Sequence, residues 1–189
     1  MTEPKRRETD TSKTRSKIIE ATDRLIGEKG LNATSVSAVA RTLDMSHANV
    51  YRHFKSRGDL LVAVAETWMA ETRKASEAAI DRERTEEDNL VALVLAIRAE
   101  MFRRSNNMAA LDLYHFALRE MPQQAIHHHK HRAQLITKIT GAPERTPAIL
   151  DALRGFTDPN LILATEGPDT RSRIREVCRL LCAGLSQKN

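Results

Sequence analysis

Apolar residues recur at helical spacing along almost the whole chain, with no sustained two-residue alternation rich in β-branched side chains. Between Ser12 and Lys29, Ile18, Ile19, Ala21, Thr22, Leu25 and Ile26 share one helical face and Gly30 stands as a stop, which predicts a first helix. Thr34 or Ser35 caps a short second helix with the stripe Val36, Val39, Ala40 and Leu43. Asp44-Met45-Ser46 makes a tight connection, and Ser46 caps a third helix whose inward residues are Val50 and Phe54. Two short helices joined by a three-residue turn form the helix-turn-helix pattern.

Ser56-Arg57-Gly58-Asp59 matches S-x-x-D ahead of a hydrophobic run. A fourth helix is predicted from there through Leu60, Leu61, Val64 and Trp68, as far as Ile80, long enough to act as a strut between two parts of the molecule. Further helices are predicted at about 88–104, 106–120, 122–140, 146–156, 158–166 and 169–186, with breaks at Asn106-Asn107, Met121-Pro122, Gly141-Ala142-Pro143, Asp158-Pro159 and Gly167-Pro168. The fold class is all-α. The expected division is a disordered basic arm over 1–12, a helix-turn-helix domain over 13–58 and a larger helical domain over 59–189.

Charge sharpens this picture. The 189 residues carry a net charge of +5, and residues 1–60 hold 12 Lys/Arg against 8 Asp/Glu, so nearly all the excess sits in the first third. A basic first third is a modest polyanion signal. Lys5, Arg6 and Arg7 can follow a phosphate backbone, or simply keep the arm in solution. The longest apolar run, Leu90 to Ile97, is far shorter than the ~20 residues that cross a bilayer, and no hydrophobic stretch follows the charged N-terminus. The expectation is a cytoplasmic protein with no membrane partner. Cys178 and Cys182, four residues apart, read as small buried hydrophobes, with a thiol sensor as the alternative.

The stretch 46–57, SHANVYRHFKSR, carries the most chemistry. With Val50 and Phe54 inward, His47, Ala48, Asn49, Tyr51, Arg52, His53 and Lys55 lie on or beside the opposite face. The first turn of the second helix of such a motif enters the major groove while flanking groups fix register on the backbone. Asn pairs with adenine, Ala permits close approach or touches a thymine methyl, and Tyr, His, Lys and Arg donate to phosphate. Thr34, Ser35, Ser46 and Arg57 sit at helix starts as further phosphate partners. The competing reading is a merely solvated helix face.

Gly30, Thr34-Ser35-Val36, Val39-Ala40, Ser46, Val50-Tyr51-Arg52-His53-Phe54 and Asp59-Leu60-Leu61 together resemble the N-terminal signature of the tetracycline-repressor (TetR) family of bacterial transcription regulators, over about residues 15–62. The turn glycine usual in the family is Asp44 here, a residue tolerated at a left-handed position. The resemblance implies a three-helix DNA-binding domain followed by a helical domain that binds a ligand and dimerises. It also implies that late helices pair with their two-fold mates; Leu150, Leu153, Ile174, Val177, Cys178, Leu181 and Leu185 are the candidate interface, and a plain intramolecular core reads the same way.

For a ligand pocket the candidates are Trp68, Met69, Met101, Phe102, Met108, Leu111, Tyr114, His115, Leu118 and Met121. His127-His128-His129-Lys130-His131 reads as an exposed polar face, or else as a metal or pH-sensing site. No H-E-x-x-H, phosphate-cradling glycine loop or G-x-S-x-G is present, so no catalytic residue, cofactor or metal is assigned. The expected function is a ligand-responsive regulator, most directly a repressor, that binds double-stranded DNA at a palindrome as a homodimer and is released by a small molecule. The alternatives are an architectural DNA binder without ligand control and a His-metal enzyme.

Overall fold

The computed structural model describes residues 4–103 and 107–186, and the side chains of 11–103 and 108–184. All regular structure among them is helical. The order is α1 Pro4–Lys29, α2 Val36–Thr42, α3 His47–His53, α4 Arg57–Ala78, α5 Glu86–Arg103, α6 Asn107–Glu120, α7 Pro122–Thr140, α8 Thr146–Thr157, α9 Pro159–Ile162 and α10 Thr170–Ser186.

Two sequence expectations change. The helix expected from Ser12 starts at Pro4, so residues 4–12 continue α1 instead of forming a disordered arm. Proline's fixed φ and missing N–H suit a first helical turn, and no breaker interrupts the chain until Gly30. The helix expected at 158–166 shortens to Pro159–Ile162. Beyond it the Thr165 hydroxyl lies 2.9 Å from the Gly155 carbonyl and 3.0 Å from that of Ile162, and Thr170 donates to the Thr165 carbonyl at 2.8 Å. These local bonds compete with a continuing helical ladder.

The first three helices are held by short-range chemistry. Gly30 ends α1 at φ +81°, a backbone that disfavours any side chain although space is open there. Ser35 and Ser46 accept from the amides of Ala38 and Asn49 at 3.1 and 3.2 Å. Asp44 takes φ +51°, the left-handed turn position expected of it. Ile18, Ala21, Leu25, Val36, Val39, Ala40, Val50 and Phe54 then form one core with Leu60 and Ala63 of α4. Phe54 falls one residue past α3 in an extended conformation, yet is still buried.

Helix α4 serves two cores. Leu60 and Ala63 complete the first, while Leu61, Val64 and Ala65 join Ile26 and Leu31 to Leu113, Phe116, Ala117 and Met121 of the α6 region. The third core gathers α5, α7, α8 and α10 around Leu90, Leu93, Val94, Ile136, Leu153, Phe156, Ile174 and Cys178. Arg98 of α5 is buried there; its guanidinium donates to the Phe156 carbonyl at 3.2 Å and pairs with Glu166, clamping α5 to the α8–α10 connection.

This third core corrects part of the interface expectation. Leu153, Ile174 and Cys178 are enclosed within the single chain and leave no surface for a partner. Leu150, Val177 and Leu181 are half-buried and pack against the same core. The Leu185 side chain lies outside the described residues. Burial raises the Cys178 thiol to about 12 and the Cys182 thiol to about 11, so both remain protonated, packing groups at neutral pH.

Candidate nucleic-acid interface and effector cavity

The face of α3 opposite Val50 is open. His47, Ala48, Tyr51, Arg52 and Lys55 are exposed, Tyr51 to 51%, while Asn49 and His53 are half-covered. An aromatic that large left in solvent on a seven-residue helix does not serve the core. Arg15 of α1 lies over the Phe54 ring, 4.9 Å from its centroid, adding a cation beside the end of α3. Sequence reasoning missed Arg15 because 39 positions separate it from Phe54 and no local pattern joins them.

Four of the expected phosphate partners have duties inside the protein. Thr34 is buried, and its hydroxyl donates to the Gly30 carbonyl at 3.0 Å, so it does not reach the surface; this corrects its assignment to DNA binding. Arg57 donates Nε to the Thr34 carbonyl at 2.6 Å and Nη2 to that of Leu31, so it first of all clasps the α1–α2 loop to the start of α4. Ser35 and Ser46 are exposed helix caps. The Ser56 side chain likewise caps α4 by accepting from the Asp59 amide at 3.0 Å.

A second site lies between α4, α5, α6 and α7. It is a cavity of about 90 Å³ lined by the apolar groups Trp68, Met69, Ile97, Met101, Leu113 and Leu118, among others, and by Tyr114, His128, His129 and Arg132. Of the sequence candidates, Trp68, Met69, Met101, Tyr114 and Leu118 line it, whereas Met121 is enclosed in the core beside α6. Phe102 instead lies against the Arg98 guanidinium, 5.4 Å from centroid to Cζ, and Met108 is 57% exposed. His115 meets Asn160 Oδ1 at 2.8 Å on the surface, and Leu111 lies outside the lining.

The histidine run divides. His127 is exposed, and His131 bonds Glu77 Oε1 at 2.7 Å. His128 is half-buried on the cavity, while His129 lines it and yet is exposed like His127 and Lys130, so the expected exposed polar face holds for much of the run but not for His128. Burial, reinforced by the nearby Arg132 charge, lowers the His128 imidazole to about 3 and moves His129 in the same direction. Burial also lowers Arg132 and raises the Tyr114 phenol. Among the described residues no group of three or more His, Cys, Asp or Glu is placed to hold a metal ion.

Trp68 also looks the other way. Its indole Nε1 donates to Asp23 Oδ1 of α1 at 2.6 Å, so a wall of the cavity is tied to the long helix that packs beneath α2 and α3.

The fold and the open α3 face define an all-α helix-turn-helix protein with a second, cavity-bearing helical region. Residues 18–64 match the family described as bacterial regulatory proteins, tetR family. The HTH-type transcriptional regulator BetI of Rhizobium meliloti (strain 1021) is 30% identical over 106 residues, 56% of this chain, and the match spans only about half (52%) of that relative. A bacterial regulatory protein of the tetR family from Rhodococcus RHA1 superposes with a TM-score of 0.64 at 22% identity, over 90% of this chain and 96% of that one. A TetR family transcription regulator from Marinobacter aquaeolei VT8 does so with a TM-score of 0.65 at 17% identity, over 94% and 97%. The similarity to the tetR family thus lies in residues 18–64, and the chain as a whole shares the fold of these solved structures.

Proposed function

We propose that the chain is a transcription regulator that binds double-stranded DNA through α3 and is controlled by a small molecule held in the cavity between α4 and α7. The observation that carries this reading is the open face of α3: His47, Ala48, Tyr51, Arg52 and Lys55 stand in solvent on a helix braced from behind by Val50 and Phe54. Tyr51, Arg52 and Lys55 donate to phosphates, and the turn from His47 to Asn49 reads base edges. A homodimer presents two such helices at a spacing near one DNA turn, ~34 Å, which suits a palindromic operator. Leu180, 57% exposed on α10, with the half-buried Val177 and Leu181 on adjoining turns, is the apolar surface that supports pairing. The protein acts in the cytoplasm, as a repressor released by its effector.

Control follows from α4, which packs in both the first core and the cavity wall. A ligand shifts the balance between operator-binding and released forms only by its differential affinity for the two. The Trp68–Asp23 bond is one contact through which that difference reaches α1. Selection of bound sequences from a random duplex pool tests the reading. Recovery of a palindrome whose half-sites lie one turn apart, with affinity falling steeply as salt rises, is the expected result. A pool that yields no enriched site, or an affinity indifferent to salt, overturns it.

A further inference from the structure

The cavity is walled mostly by apolar side chains, and Tyr114, His128, His129 and Arg132 of α6 and α7 also line it. Arg132 is half-buried, lines the cavity, and makes no hydrogen bond or ion pair with any described residue. Its carboxylate neighbours are committed elsewhere. Asp158 is held by Arg154 at 3.1 Å and by the Asn160 amide at 2.9 Å. Glu100, the one carboxylate in the lining, meets Arg103 at 3.1 Å. Four residues before Arg132 on the same face of α7, His128 also lines the cavity, and its Nδ1 is buried with no hydrogen-bond partner. A desolvated guanidinium and an orphaned ring nitrogen are each costly to leave unmatched. Both costs are relieved by one group, an anionic oxygen acceptor entering from the cavity.

Resting on the effector-cavity reading above, we infer that the effector is a small molecule with an apolar or aromatic body and a single carboxylate-type head, the head seated against Arg132 and the body along Trp68, Met69, Met101 and Leu113. A single half-buried cation matches a single negative charge, and the guanidinium fork accepts a carboxylate through two parallel N–H···O bonds. His128, His129 and Tyr114 supply further donors around the same head. At about 90 Å³ the chamber has space for several waters.

Trp68 is the only tryptophan of the chain, so its fluorescence reports occupancy of the cavity directly. Decanoate and naphthoate, each beside its neutral alcohol, and decyltrimethylammonium are titrated against the intact protein, with the thermal midpoint as a second readout. Loss of a charge-assisted bond of this kind is worth about tenfold to a hundredfold in affinity. At least one carboxylate is expected to bind tighter than its alcohol by that factor and to raise the midpoint. Arg132→Met abolishes the preference while leaving alcohol binding in place. Because it removes an unpaired half-buried cation, Arg132→Met should melt no lower than the parent, which separates lost recognition from lost folding. Arg132→Lys, which keeps the charge without the fork, should retain part of the preference. Alcohols binding as tightly as the carboxylates, the ammonium binding tightest, or a preference that survives Arg132→Met overturns the inference and leaves the effector cavity standing. If neither carboxylates nor alcohols perturb Trp68 or the midpoint, the effector-cavity reading itself falls and takes this inference with it.

Discussion

Two stretches crowded with histidine and basic side chains, 46–57 and 127–132, end in different environments. On α3 the polar residues stay in solvent, because the short helix packs on α2 and shares a core with α1 behind it, and among the described residues no element covers its other side. On α7 His128 and Arg132 are half-buried against the cavity, because α4, α5, α6 and α8 all pack around that helix, while His127, His129 and Lys130 stay exposed. His47 is exposed and His128 is half-buried, with its Nδ1 enclosed, one turn from an unpaired cation. Residue type does not decide whether a polar cluster is a surface or a site; the number of elements packed against its helix does.

The sharpest way to break this contrast is to remove the brace behind α3. Phe54→Ala leaves a cavity in the first core and is expected to cost about 3–5 kcal/mol in urea unfolding, with operator binding lost. A variant that unfolds at the parent's urea midpoint would show that the α3 face is not held from behind. Asn49→Ala keeps the fold and is expected to relax base preference at one position of each half-site by about 1–3 kcal/mol, read by competition among duplexes. Lys55→Ala should instead weaken all sequences alike and lower the salt slope by about 1. Identical behaviour of the two variants would erase the division between reading and positioning.

The buried side of the contrast is tested by pH. Folding lowers the His128 imidazole to about 3, so below its ordinary value near 6.5 the unfolded chain takes up a proton that the folded chain resists. Stability contributed by the neutral ring is therefore present above about 6.5 and is lost progressively toward 3. His129 acts in the same direction. After discounting for partial exposure, the effect is on the order of 2 kcal/mol. His128→Gln should flatten the limb between pH 6.5 and 4.5, before the carboxylates of Asp158 and Glu176, themselves lowered on folding, begin to protonate. An unchanged pH profile in that variant would place the imidazole in solvent. The smallest effect concerns the cap: Ser46→Ala frees the Asn49 amide and should cost about 1 kcal/mol, with a matching small loss of operator affinity.

The first region was legible because its determinants are local. A cap acts over three residues, as Ser46 does on Asn49, and a left-handed turn is a property of one residue, as at Asp44. The Val50 and Phe54 pair announces a buried side within one turn. What escaped was long-range even there: the Arg57 clasp on the carbonyls of Leu31 and Thr34, and Arg15 over Phe54. In the second region, Trp68, Met101, Tyr114 and Leu118 could be proposed for a pocket because methionines, aromatics and leucine make adaptable walls. Arg132 could not, since an arginine four residues after a histidine on a polar helix resembles any solvated face.

From the sequence alone came the all-α class, the helix-turn-helix with its caps and turn, the face of α3 opposite Val50 and the family resemblance. Each depends on periodicity or on contacts within a few residues, which a linear order preserves. Packing alone decided that Leu153, Ile174 and Cys178 belong to one chain's core, that the histidine run splits between solvent and cavity, and that Arg132 is half-buried one turn from His128 without a partner. Those outcomes depend on which helices meet across many tens of residues, and burial, the quantity that gives a charged or titrating group its meaning, exists only once they have met.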